Sequence, residues 1–468
     1  MFPYTLMLDP RGREPMYEQL YRAMAEAIRT GNVRNGARLP SKRELCVRLG
    51  VSRSTVEAAY ELLRAEGYVD ARPRSGFFAA EYIAPEPMGE AAKDAGDIGP
   101  RDENRQNIPE KAEADSPFST SAVDVSAFPY ASWAKLYKEV VYNSPELLQR
   151  GDPLGEAALR RALARLLSEY RGVRCDPEQV VVGSGMETLT GQLLTLFGRE
   201  AVYAMEDPGY PALERSLRAR GRELRYVPMD ENGMDGDALA KSGASVAYLT
   251  PSHQFPLGIT MPASRRSRLL RWAAAEEGWI IEDDYDSEFR YGGRPISSLQ
   301  GMDSRGRVIY IGTFSRSLAP AIRLAYMVLP QELLAQWQRL YGRQQPTVSR
   351  YEQTVMARFL DEGYYARYIR RVGSLYARRR DALLEALQQI DGLSVSGAEG
   401  GVHLLLTLPR YSERELLVRA AAVGLPMRGL SEFCRLTPPL SSTLVAGYGG
   451  LPTERIGEIA ARLREAWA

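Results

Sequence analysis

Residues 279–285 read WIIEDDY. Trp279, Ile280 and Ile281 lack the polar alternation of a half-exposed strand, so the sheet they join should be covered on both faces. The run then ends in three acids and a phenol. A buried carboxylate is costly unless a cation meets it or it is neutralised. An apolar strand that delivers acids at its end therefore points to a ligand site as well as to a sheet. Working outward, similar short runs recur: VVVG (180–183), AVYAM (201–205), LRYVPM (224–229), SVAYLT (245–250), VIYIGTFS (308–315) and AYMVLP (325–330). Helical patterns separate several of them, namely EAALRRALARLLSEY (156–170), METLTGQLLTLF (186–197) and RRSRLLRWAAAEEG (265–278). This alternation means an α/β domain with a mainly parallel sheet. Beyond residue 330 come long helical patterns, a strand GVHLLLTL (401–408) and a last helix within PTERIGEIAARLREAW (452–467), which together read as a smaller α+β part.

With 468 residues the chain is too long for one ordinary core, and two or three domains are expected. A net charge of +1 gives the whole chain no strong pull on nucleic acid or membranes, although a local patch can have one. Cys46, Cys175 and Cys434 lie far apart and form no disulfide framework, as in a reducing cytosol. No apolar run is long enough to span a bilayer, and the start, MFPYTLMLDPRGREP, lacks the order of a signal peptide. A cytoplasmic protein with no membrane partner is expected.

Residues 81–117 change character. EPMGEAAKDAGDIGPRDENRQNIPEKAEAD is rich in Pro, Gly, Ala and acids and has almost no large apolar groups. Such a stretch cannot bury enough surface to offset its ordering entropy, so it reads as a linker. It separates residues 1–80, which carry an excess of basic over acidic side chains, from residues 118–468.

Within residues 1–80, MYEQLYRAMAEAIRTG sets Met16, Leu20, Met24, Ala27 and Ile28 on one helical face. Ser41 and Glu44 form a capping-box pair ahead of a short helix to Leu49. Gly50-Val51-Ser52 then turns the chain into a third helix, about 53–66, with Val56, Ala59 and Leu63 inward. Helix, short Gly-bearing turn, helix is the helix-turn-helix plan. The second of these helices presents Arg53, Ser54, Thr55 and Glu57 where such helices meet base edges. YVDARPRSGFFAA follows as a two-stranded wing with Arg72 and Arg74 near its tip. This region resembles the GntR family of winged-helix DNA-binding domains, carried by LPSKREL (39–45), VSRSTV (51–56), Ala59-Tyr60 and Leu63 through Gly67. The resemblance implies contacts to double-stranded DNA from Lys42, Arg43, Ser52, Arg53, Thr55, Arg72 and Arg74, and a dimer on paired half-sites.

In the larger region four local features converge. Val182 through Glu187 turn a strand through small residues into a helix whose free N–H groups suit a phosphate. Glu206-Asp207-Pro208-Gly209-Tyr210-Pro211 puts an aromatic ring at a turn, able to stack on a planar ligand. In WIIEDDY a pyridinium nitrogen would satisfy Asp283, and Tyr285 could donate to a ring oxygen. Thr313 and Ser315 offer hydroxyls, and Arg323 offers a fork for phosphate. Taken together these features resemble the pyridoxal-phosphate site of fold type I aminotransferases, along with GDPLG (151–155), TPSHQFPLG (250–258), Tyr368-Ile369-Arg370-Arg371 and Tyr376 through Arg380. An N-terminal GntR module joined to such a domain resembles the MocR/GabR subfamily of transcription regulators. The resemblance implies an α/β fold with a large part at about 150–330 and a small part at about 331–468, a homodimer, and a small-molecule effector. It places Asp283 at the pyridine nitrogen, Tyr285 at the ring hydroxyl oxygen, Tyr210 beside the ring, and His253 or Gln254 near the ring hydroxyl. Thr313, Ser315 and Arg323 would hold the phosphate, with backbone at Met186 and Glu187.

One departure decides the functional expectation. The family has lysine, the Schiff-base residue, where this chain has Arg316. A guanidinium stays protonated and is delocalised over three nitrogens, so it makes no comparable Schiff base and is no ordinary general base. It can instead grip a phosphate or carboxylate. Transamination is therefore not expected. The ligand is expected to be pyridoxal phosphate held without a covalent bond, a cofactor–amino acid adduct, or an unrelated amino compound. An active aminotransferase with an appended DNA module is the alternative. Glu187, where the family often has an amide or hydroxyl, would repel a phosphate, and Leu257 replaces a usual threonine. Arg428 and Arg435 are candidates to grip a ligand carboxylate.

Overall fold

The computed structural model describes residues 8–9, 15–72, 75–80, 116–291, 297–436 and 442–468. The chain divides into two compact units, 1–103 and 104–468.

Among the described residues the first unit is built on three helices, α1 (Met16–Arg29), α2 (Lys42–Leu49) and α3 (Arg53–Ala65), and the hairpin β1 (Val69–Arg72) and β2 (Gly76–Ala79). Sequence chemistry sets both ends of α2 and the start of α3. Ser41 Oγ accepts the Glu44 N–H at 3.2 Å to start α2, and Gly50, with φ 66°, ends it in the left-handed region. Ser52 Oγ accepts the Thr55 N–H at 3.2 Å to start α3. Leu20, Met24 and Ile28 from α1 meet Leu45, Val56, Ala59, Tyr60 and Leu63 in one core. Met16 packs only at its margin. The Tyr60 hydroxyl donates to the Pro40 carbonyl at 2.6 Å, tying α3 to the turn before α2. β1 and β2 pair antiparallel, Val69 opposite Ala79 and Arg72 opposite Gly76. The helix-turn-helix and its wing are thus present as the sequence implies.

The second unit centres on an eight-stranded sheet with the order β3-β10-β9-β8-β7-β4-β5-β6. The strands are β3 (Val180–Gly183), β4 (Val202–Asp207), β5 (Glu223–Asp230), β6 (Gly233–Met234), β7 (Val246–Leu249), β8 (Trp279–Asp284), β9 (Val308–Thr313) and β10 (Ala325–Val328). From β9 through β8, β7 and β4 to β5 the pairing is parallel; β10 runs antiparallel to both its neighbours, and β6 to β5. Alternate residues of one strand enter different cores. Tyr310, Val180 and Val182 join one apolar cluster, whereas Ile309, Ile311 and Val181 join another. Both faces are covered, which is why these strands read as unbroken apolar runs. β6 is too short to carry a sequence signal.

A second sheet, order β11-β12-β14-β13, comprises β11 (Ser394–Ser396), β12 (His403–Thr407), β13 (Arg428–Gly429) and β14 (Thr443–Gly447), all antiparallel. Residues 116–118 meet the C-terminal part of the chain here. Ser116, at the end of the expected linker, is buried and donates to the Pro426 carbonyl, and the Gly447 N–H donates to the Phe118 carbonyl at 2.9 Å. Residues 81–115 of that linker lie outside the described residues.

Candidate ligand pocket and DNA-facing helix

The strand register brings the candidate residues to one edge. Ala325 pairs with both Gly183 and Thr313, and Asp284 pairs with Gly312. The ends of β3, β8 and β9 and the start of β10 therefore align. Open α/β sheets place ligands outside the carboxyl ends of their strands.

The acids of WIIEDDY separate by pleat. Glu282 accepts the N–H groups of Leu299 and Gln300, each at 2.8 Å, and lies 3.7 Å from Arg266. Asp284 pairs with Arg171 at 2.6 Å, both buried, and accepts the Tyr310 hydroxyl. Asp283 points to the other face. Its Oδ2 accepts the Tyr248 hydroxyl, and its Oδ1 is buried with no hydrogen-bond partner among the described residues. Burial pushes the Asp283 carboxyl up to about 7; Tyr248 opposes this, Asp284 and Asp286 add to it, and Arg316 pulls it down slightly. An orphaned carboxylate oxygen in this position fits a cationic ring N–H, so the pocket suits a pyridinium.

His253 lies at the same edge, 4 % exposed. Its Nδ1 is 2.9 Å from Asp286 Oδ2 and 3.2 Å from the Tyr285 hydroxyl, and its buried Nε2 has no hydrogen-bond partner of ordinary geometry among the described residues. Burial pulls the imidazole pKa down, but the Asp286 carboxylate outweighs it and leaves a net rise. With Nδ1–H committed to Asp286, Tyr285 keeps its own proton to donate elsewhere. His403, the second of the chain's two histidines, lies with its ring centroid 4.8 Å from that of His253, the rings tilted by 51°, and is held well below its ordinary pKa by burial and by His253. Gly401 makes this cluster possible: with φ +60°, a Cβ there would lie 2.2 Å from His253 Cε1.

Gln254, in contrast, is spent on its own turn. Its amide reaches the carbonyls of Pro208 at 2.9 Å and Phe255 at 2.6 Å, and its Oε1 accepts the Leu257 N–H. Tyr210 is 39 % exposed and stands edge-on to Phe255. Thr313 is buried and donates to Ser315 Oγ at 3.0 Å. Arg323 reaches Glu187 at 2.8 Å above the first turn of the helix Met186–Leu196. Arg316 is half-buried and donates to the Thr120 carbonyl; its charge also bears on Tyr210, Asp283, Tyr285 and His403. Arg435 is committed to Glu214 at 2.7 Å, and Arg428 pairs with Glu432 at 2.9 Å. Sequence reasoning missed Tyr248, Asp286, His403 and Thr120. Only Asp286, in the same acidic run, and His403, one of two histidines, carried a visible signal.

On the first unit, Arg43, Arg53 and Arg72 are exposed. Arg53 leans on Glu57 at 3.1 Å, Lys42 approaches the same carboxylate at 3.4 Å, and Arg72 stacks on Phe78. The hydroxyls of Ser52 and Thr55 lie 2.8 Å apart within the α3 cap. Arg74 lies outside the described residues.

A model of the gntR family of bacterial regulatory proteins matches residues 16–79, and one of class I and II aminotransferases matches residues 119–438. The HTH-type transcriptional regulator YhdI of Bacillus subtilis is 39% identical over 99% of this chain and 98% of its own. The probable rhizopine catabolism regulatory protein MocR of Rhizobium meliloti is 33% identical over 99% of this chain and 96% of its own. The chain belongs to the MocR/GabR subfamily of GntR regulators. Its second unit shares the fold type I architecture of aminotransferases. The kynurenine aminotransferase of Pyrococcus horikoshii, solved with PMP, superposes with a TM-score of 0.68 at 25% identity, covering 80% of this chain and 98% of that one. LysN of Thermus thermophilus, solved with N-(5'-phosphopyridoxyl)-L-leucine, gives 0.65 at 27% identity, covering 75% and 91%. Among the described residues of this MocR/GabR-type chain no helix is long and apolar enough to cross a membrane.

Proposed function

We propose that this protein is a transcription regulator that binds DNA through residues 1–80 and senses a small amino compound through residues 118–468, with 81–117 as linker. The ligand is pyridoxal phosphate, its adduct with an amino acid, or a related amine, bound without a covalent link and without turnover. The observation that carries this reading is the pairing of an intact ring site with Arg316. Among the described residues Asp283 Oδ1 has no partner where a pyridinium N–H would satisfy it, and Arg316 occupies the position that the family resemblance gives to the Schiff-base lysine. The cofactor, when bound, supplies an electron-withdrawing ring. Of the protein's groups, Asp283 holds the ring nitrogen's proton, Tyr285 donates to the ring hydroxyl oxygen, and Tyr210 flanks the ring. Arg316 has no lone pair to give and so neither attacks the ligand nor moves its proton. Its fork stays available for an anionic group of the ligand.

Ligand binding would shift the second unit between two arrangements, and the linker would pass that change to the DNA-binding module. A homodimer on paired half-sites follows from the helix-turn-helix. A mobility-shift assay on the gene's own upstream region at physiological salt should show specific binding that the ligand alters; absence of specific binding would sink the regulator reading. Separately, absorption spectra with pyridoxal phosphate should show a Schiff-base band for Arg316→Lys and none for the natural chain. A band in the natural chain would restore the enzyme reading.

A further inference from the structure

The groups expected to receive a phosphate already hold an anion of the protein's own. Arg323 takes a left-handed conformation, φ 52°, which lays its guanidinium across Gly185. A Cβ on Gly185 would lie 2.3 Å from Arg323 Nη2 and 3.1 Å from Glu187 Oε2. The glycine thus admits both side chains to the space over the first turn of the helix Met186–Leu196. There the Glu187 carboxylate meets Arg323 at 2.8 Å. Partial burial pushes its pKa up, but its own backbone N–H and Arg323 outweigh this and hold it below the usual carboxylate range. The neighbouring hydroxyls are also satisfied internally, Thr313 Oγ1 donating to Ser315 Oγ and accepting the Ser315 N–H at 3.1 Å.

We infer that Glu187 competes with a ligand's phosphate for Arg323 and the helix terminus, and so sets the selectivity of this pocket between phosphorylated and unphosphorylated pyridine ligands. The inference rests on the pyridine-binding reading above. A phosphate placed beside an ionised Glu187 is repelled, and it must also replace an existing charge-assisted hydrogen bond. The competition is partial rather than a block, because the Glu187 side chain is 69% exposed and can turn out to solvent. The same exposure means that changing Glu187 leaves the fold standing. A phosphate-free ligand meets no such opposition, since it leaves the Arg323–Glu187 pair in place.

Calorimetric titration with pyridoxamine 5′-phosphate and with pyridoxamine tests this, because neither probe has an aldehyde. Glu187→Gln and Glu187→Ala should each bind the phosphorylated probe about tenfold more tightly than the natural chain, with pyridoxamine affinity unchanged. An equal gain for both probes, no gain for the phosphorylated one, or binding of neither probe to any of the three proteins overturns the inference. Specific DNA binding, measured on the same samples, reports on the regulator reading separately.

Discussion

Asp283 and Arg316 form an asymmetric pair. One is a buried carboxyl whose Oδ1 has no hydrogen-bond partner among the described residues, the other a cation that donates to a backbone carbonyl. Asp283 has a measurable signature before any ligand arrives. Its carboxyl is raised from an ordinary 3.8 to about 7, so between those pH values the folded chain keeps a proton that the unfolded chain has released. Stability must then fall as pH rises through that window and level off above it. The shift corresponds to roughly 4 kcal/mol at most. Glu206, raised to about 7 chiefly by its own burial, acts in the same direction, so Asp283 carries only part of the slope. Asp283→Asn removes that part. Thermal unfolding of the ligand-free protein should show a smaller loss of Tm from pH 5 to pH 8 in the variant than in the natural chain. Equal losses would mean that Asp283 is not held neutral.

At the scale of elements, the α3 terminus lets folding and the proposed DNA contact be tested apart. Ser52 caps the helix through its Oγ, so its hydroxyl serves the fold first. Ser52→Ala should cost about 1 kcal/mol, read as an earlier unfolding transition of the first unit. Ser52→Asp keeps a capping oxygen but sets a charge near phosphate; it should leave the transition in place and weaken operator binding. If both variants bind DNA normally, α3 does not face the backbone. Such elements were legible in the sequence because their signals are local: Ser41 and Ser52 at caps, Gly50 at a turn, and unbroken apolar runs where a parallel sheet is covered on both faces. The acids of WIIEDDY were legible as a group, but their division was not. Which of three consecutive carboxylates lacks a cation depends on Arg266 and on Arg171, the latter 113 positions from Asp284. Thr120 was invisible for the same reason, since it meets Arg316 across 196 positions. β13 and β14 fell in a stretch rich in Pro, Ser and Gly, where β14 pairs with the distant β12 and β13 pairs with β14.

For the whole molecule, the proposed homodimer carries a direct consequence for DNA binding, because one helix-turn-helix neutralises few phosphates and half-site pairing would supply the rest. The second unit leaves large apolar groups uncovered on one stretch. Tyr130 and Tyr142, at the two ends of the helix Tyr130–Asn143, are 62% and 76% exposed, and Leu148 in the turn after it is 77% exposed. On the proposed homodimer reading, these exposed side chains are candidates for the contact with a second copy of the chain. A double change, Tyr142→Glu with Leu148→Glu, puts charges there without touching a buried side chain. Sedimentation should then find a dimer for the natural chain and a monomer for the variant, with circular dichroism unchanged. The variant's operator affinity should fall steeply, and its dependence on salt should flatten as phosphate contacts are halved. A variant that stays dimeric would move the interface elsewhere. A monomeric variant that still binds the operator at full strength would show that one module suffices.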